Sequence, residues 1–122
     1  MTDYSVLSDF EINKRVFKAV MGAKPLGYPH NADGRSVGNE ANGNYKWYDY
    51  CNNPTDAMPI IIENKISIAF DTNENEWLAW GDFEFDQCGW DMINEPTIYC
   101  SHANPLRAAM IVFLKMQENN HD

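Results

Sequence analysis

The chain has 122 residues, 44% of them hydrophobic, which suffices for one domain whose core needs no disulfide staples. A formal net charge of -9 disfavours direct binding to a phosphate backbone, and no apolar run is long enough to span a membrane. Three irregularly spaced cysteines, Cys51, Cys88 and Cys100, argue against a secreted disulfide framework, and the opening Met1-Thr2-Asp3-Tyr4 lacks the pattern of a signal peptide, so a cytoplasmic protein with reduced thiols and no membrane partner is expected.

The first element is announced by Ser8-Asp9-Phe10-Glu11, a capping box with Ser8 as N-cap and Glu11 at N3, and by Leu7 and Ile12 at the two positions of a hydrophobic staple. The 3.6-residue period then predicts a helix burying Ile12, Val16, Phe17, Val20 and Met21, with Lys14, Arg15 and Lys18 on its wet face and Gly22 ending it. From Ala23 to Asn44 four glycines alternate with Asn, Pro and short polar residues, and the stretch reads as one long loop. His30, Asp33 and Arg35 lie in it, and nothing in their spacing assigns them a role.

Tyr45, Trp47, Tyr48 and Tyr50 crowd ahead of Cys51-Asn52-Asn53-Pro54. An aromatic run of this kind is an ordinary edge strand, and it also suits a ligand platform gathering Trp47, Tyr48, Asp49, Tyr50 and Asn52. Pro59 is placed to open a short central helix that Asn64 closes in a left-handed conformation. Ile66 to Phe70, the polar turn Asp71 to Asn75, and Glu76 to Trp80 then read as a hairpin, and Thr97 to Cys100 as one more strand. Asn104 and Pro105 cap and open a final helix whose residues Leu106, Ala109, Met110, Phe113 and Gln117 share one face. Val112, Leu114 and Met116 widen that stripe, so the helix is expected to be buried on more than one side.

Charge is lopsided along the chain. Residues 1–65 hold eight acids and seven bases, whereas 66–122 hold ten acids with Arg107 and Lys115 alone to balance them. Between Lys65 and Arg107 stand Asp71, Glu74, Glu76, Asp82, Glu84, Asp86, Asp91 and Glu95 without a single base, a segment that projects negative potential. Asp82, Glu84 and Asp86 fall on one side of an extended chain and offer oxygen ligands to a divalent cation, though such a row is also the ordinary wet face of a strand. Cys51, Cys88, Cys100 and His102 match no paired zinc spacing, and the chain has no Gly-rich phosphate loop, nucleophile elbow or His-Glu-x-x-His. No cofactor or catalytic residue is therefore assigned.

Two blocks carry a resemblance. Asp49-Tyr50-Cys51-Asn52-Asn53-Pro54 through Pro59 to Ile68, and Asn104 to Leu114, resemble the NinX family of small proteins from tailed bacteriophages and prophages. The opening Asp3-Tyr4-Ser5 with Leu7 to Asn13, and the segment Trp77 to Trp80, are similar to that family as well. The resemblance implies a phage origin, expression in a bacterial host cytoplasm and an accessory role; it brings no catalytic or binding residues with it.

The expected fold is α+β, a small antiparallel sheet of three to four strands packed with an N-terminal helix, a short central helix and a C-terminal helix. Three functional readings follow. The first is a non-catalytic acidic protein that binds a host or phage protein, using the acidic surface to occupy a basic site on it. The second is a module for an anionic metabolite or nucleotide, gathering Trp47, Tyr48, Tyr50, Asn52 and Arg107 near the N-terminus of the last helix. The third is a metal-dependent hydrolase using Asp82, Glu84 and Asp86. A homodimer through exposed aromatic side chains is compatible with a chain of this size.

Overall fold

A computed structural model describes residues 2–22, 33–41, 44–81, 84–85, 92–94 and 97–119. Among these residues the order is a 3-10 turn (Tyr4–Val6), α1 (Asp9–Met21), β1 (Val37–Ala41), β2 (Asn44–Tyr48), α2 (Pro54–Glu63), β3 (Ser67–Asp71), β4 (Glu76–Trp80), β5 (Glu84–Phe85), β6 (Met92–Asn94), β7 (Tyr99–His102) and α3 (Pro105–Asn119). The fold is α+β, as expected, with N-terminal, central and C-terminal helices. Its principal sheet has the order β3-β4-β7, antiparallel throughout, and β1-β2 and β5-β6 form separate antiparallel pairs. None of the described helices is long and apolar enough to cross a membrane.

The two outer helices begin as their sequences dictate. Ser8 Oγ accepts the backbone N–H of Glu11 at 3.1 Å, and Gly22 closes α1 at φ 72°, a left-handed conformation open to glycine without steric penalty. Glu11 turns its carboxylate to Lys14 at 3.1 Å. Asn104 Oδ1 accepts the N–H groups of Leu106 at 3.0 Å and Arg107 at 3.3 Å, with Pro105 at the first helical position.

α3 is the common packing surface. Every residue from Arg107 to Leu114 is buried, and the helix touches α1, α2, β3, β4 and β7. Register places Ile68, Ala79 and Cys100 side by side on the sheet face that joins the core. Gly81, just past β4, lies so close to α3 that a Cβ there would meet Met116 Sδ at 2.8 Å.

Four local expectations need correction. On α1, Ile12, Val16 and Phe17 are buried, but Val20 and Met21 are 44% and 45% exposed, so the buried face ends a turn before the helix does among the described residues; the fourth buried residue is Asn13, a polar side chain. The central helix begins at Pro54 with Asn53 as N-cap, its Oδ1 accepting Thr55 N–H at 3.0 Å, and Pro59 lies inside it. Asn64 closes that helix at φ -94°, and the left-handed residue is its neighbour Lys65 at φ 56°. Finally, Val37–Ala41, within the stretch expected as loop, pairs with Asn44–Tyr48 as β1 and β2. Gly38 belongs to that pairing because a Cβ would stand 2.1 Å from the Lys46 carbonyl oxygen. The glycine that reads as loop in sequence is here a close-approach position in a strand.

Candidate functional site

The polar residues of this chain converge where α1, the segment before β1, the turn between β2 and α2, and the start of α3 meet. At the centre is Asp49, a buried carboxylate one residue past β2. Its Oδ1 accepts from Asn13 Nδ2 at 2.9 Å and Asn52 Nδ2 at 3.1 Å, and its Oδ2 accepts from Arg35 Nε at 2.9 Å. A buried carboxylate is tolerable only when charge and lone pairs are met in this way. Asn13 completes its own set by donating to the Arg35 carbonyl at 3.0 Å and accepting Cys51 N–H at 3.1 Å.

Arg35 is held from the other side by Asp33, whose Oδ1 accepts the N–H groups of Arg35 at 2.7 Å and Ser36 at 2.9 Å, while Oδ2 accepts Ser36 Oγ at 2.6 Å. Burial pushes the Asp33 carboxyl up, but those hydrogen bonds outweigh it and leave its pKa below the usual carboxylate range. The bond to Asp49, with that carboxylate's charge, raises Arg35 in turn. Asp56 Oδ2 accepts the backbone N–H of Asp49 at 2.9 Å and ties the turn to the first turn of α2.

A cavity of about 380 Å³ opens over this junction, walled by Arg35, Trp47, Asp49, Asn52, Asn53 and Asp56 among others. Of the aromatic residues singled out in the sequence, Trp47 lies at this cavity together with Asn52. Tyr48 and Tyr50 instead stack at 5.5 Å with their rings 3° from parallel, Tyr48 against Phe17 at 5.9 Å, and Tyr50 lies within the core.

Arg107 is also elsewhere. It is buried, with Nη1 donating to Asp9 Oδ1 at 2.7 Å and Nη2 to the carbonyls of Leu7 at 2.7 Å and Tyr4 at 3.3 Å. Asp9 also accepts from Asn52 Nδ2 at 3.0 Å; burial raises its pKa, but the bonds from Asn52 and Arg107 prevail and lower it. Asn104 Nδ2 donates to the Cys51 carbonyl at 2.7 Å and to Asn52 Oδ1 at 3.0 Å, so the cap of α3 is hydrogen-bonded to a residue of the cavity wall. Arg107 thus fastens the N-terminal segment to α3 and faces no open site.

Of the acidic segment, Asp71, Glu74 and Glu76 sit around the β3–β4 turn, where Asp71 Oδ1 accepts the N–H groups of Asn73 at 2.9 Å and Glu74 at 3.3 Å. Phe70 and Trp77, cross-strand partners one position inside the turn, meet edge to face at 5.2 Å. Glu84 contributes backbone to β5, its side chain lying outside the described residues, as do Asp82, Asp86, Asp91 and Glu95 entirely. His30 and Cys88 lie outside them too. Cys51 is buried and its thiol is driven far up by burial, and His102 Nδ1 accepts Asn104 N–H at 2.9 Å. Among the described residues, no three His, Cys, Asp or Glu side chains are placed to hold a metal ion.

Sequence reasoning missed Asn13, Arg35 and Asp9 as parts of this junction. Asn13 carried a usable signal, a polar residue beside Ile12 on the buried face of a well-capped helix. A comparison with curated proteins finds no match. Residues 3–117 match the family described as Bacteriophage P22, NinX, with both resembling blocks inside the matched span. On that match the chain belongs to the NinX family of bacteriophage proteins.

Proposed function

We infer that the chain is a non-catalytic acidic accessory protein that docks on a host or phage protein through the tip of the β3–β4 hairpin. The observation that supports this reading is a pairing of features at that tip. Phe70 is 42% exposed against Trp77, and Asp71, Glu74 and Glu76 stand around the same turn. Half-exposed aromatic rings are the side chains that anchor protein interfaces, and a rim of one charge steers a partner of the other sign. No base lies between Lys65 and Arg107 in sequence, so the tip favours a basic surface on the partner.

The test is affinity capture from host lysate with the tagged chain and its Glu74→Gln/Glu76→Gln variant, at low and at high salt. A protein retained by the wild type at low salt, released at high salt and not retained by the variant supports the reading. Capture that is indifferent both to salt and to these two residues overturns it.

A further inference from the structure

The cavity over Asp49 is separate from the hairpin tip, and its unengaged polar groups define what it accepts. We propose that it is a binding site for a small neutral polyhydroxylated ligand, a sugar or the ribose of a nucleoside. The supporting side chains come first. Asn52 has both amide protons committed, to Asp9 and Asp49, and its oxygen accepts from Asn104. Asp33 and Asp49 each accept three hydrogen bonds. These residues build the wall and have little left to offer a ligand.

Among the described residues, a short set of groups at the same wall is left without a bond. Arg35 uses Nε on Asp49, and its two terminal amino groups donate to no described residue. Among the described residues Asp56 bonds only through Oδ2, to the Asp49 N–H, and Asn53 only through its oxygen, to Thr55 N–H. Trp47 adds indole surface to the same wall. A guanidinium fork fixed by a buried carboxylate is pre-organised to donate two parallel bonds, and a carboxylate oxygen beside it accepts one. Neighbouring hydroxyl groups, each both donor and acceptor, match that set.

Charge weighs against an anion, and the occupied carboxylates weigh against a cation. Asp33, Asp49 and Asp56 outnumber Arg35, so an anionic group meets net repulsion. A cation finds three of the roughly four lone-pair positions of Asp33 and of Asp49 in use and a guanidinium beside them. A volume of about 380 Å³ lies at the small end of ligand pockets, about 300–1,000 Å³, and suits one or two rings.

The experiment is a set of ¹H–¹⁵N correlation spectra of the full chain titrated with D-ribose, D-glucose and uridine, with inorganic phosphate and spermidine as charged comparators, each to about 10 mM, tenfold above a Kd of about 1 mM. At least one neutral probe is expected to give saturable shifts confined to the amides of 33–36 and 47–56. Arg35→Lys, which loses the fork, and Asp56→Asn, which keeps the bond to Asp49 N–H, are expected to weaken it about tenfold each. The wild-type map stands even if a variant fails to fold. No saturable shift from any neutral probe, shifts centred elsewhere, or a preference for phosphate or spermidine overturns the proposal.

Discussion

Arg107 Nη1 and Asp9 Oδ1 meet at 2.7 Å although 98 positions separate them, and the same guanidinium holds the carbonyls of Tyr4 and Leu7. One side chain of α3 thereby receives both the 3-10 turn and the first turn of α1. Replacing Arg107 by Met leaves those acceptors unpaired beside a carboxylate, and the expected loss is about 3 kcal/mol in urea unfolding. Arg107→Lys is expected to recover only part of it, because a single ammonium cannot serve the three acceptors at the positions the fork reaches.

Acid should unfold the chain through these same carboxylates. Asp9 and Asp33 both titrate below the usual carboxylate range in the folded state. A lowered folded pKa contributes stability that is complete above the unfolded value, about 3.9, and is lost as pH falls through the folded one. The urea midpoint is expected to hold from neutral pH down to that value and to drop below it. Asp9→Asn should start lower at neutral pH and show a shallower decline.

Asn13 is fully buried and makes three hydrogen bonds, to the Arg35 carbonyl, Asp49 and Cys51 N–H. Asn13→Ala is expected to cost about 3 kcal/mol, since it strands buried partners. Asn13→Asp should be worse despite its similar shape, because it sets a second carboxylate against Asp49. Thermal melts of the two variants rank them, and an Asp variant more stable than the Ala variant would refute this account of the junction.

Two glycines make a contrasting pair. At Gly38 an added Cβ meets the backbone oxygen of Lys46, whereas at Gly81 it meets the flexible end of Met116. Gly38→Ala is therefore expected to disrupt the β1–β2 pairing, and Gly81→Ala to be accommodated by a rotamer change of Met116 with a small adjustment at Val112 Cγ1, 3.2 Å from the added Cβ. Amide exchange across residues 37–48 in each variant distinguishes the two outcomes.

Cys51 and Cys100 should differ in reactivity. Both thiols are raised by burial, but Cys51 is fully enclosed while Cys100 is half-buried. Iodoacetamide in native buffer is expected to label Cys100 well before Cys51, whose modification should track global unfolding as read by peptide mass spectrometry.

What was legible in the sequence is local. Ser8 as N-cap, Asn104 with Pro105, and the polar turn at Asp71 to Asn75 each signal within a few residues, and each forms where its signal stands, although the Glu11 carboxylate turns to Lys14 instead of closing the capping box. Asn53-Pro54 does not single out the start of α2 because a helix N-cap followed by Pro at N1 uses the same two residue types as a turn. The junction was illegible for a different reason: Asn13, Arg35 and Asp49 lie far apart in sequence, and only the packing of α1 against β1 makes neighbours of them. Trp47 and Asn52 stand out in sequence by residue type alone, and the structure places both at one cavity.

The enclosure of α3 from Arg107 to Leu114 bears on how the protein is made. Every other described element precedes that helix in the chain, so during translation α1, α2 and the β3-β4-β7 sheet emerge with their apolar faces uncovered. Until α3 is in place, those faces are exposed apolar surface of the kind that invites aggregation and proteolysis.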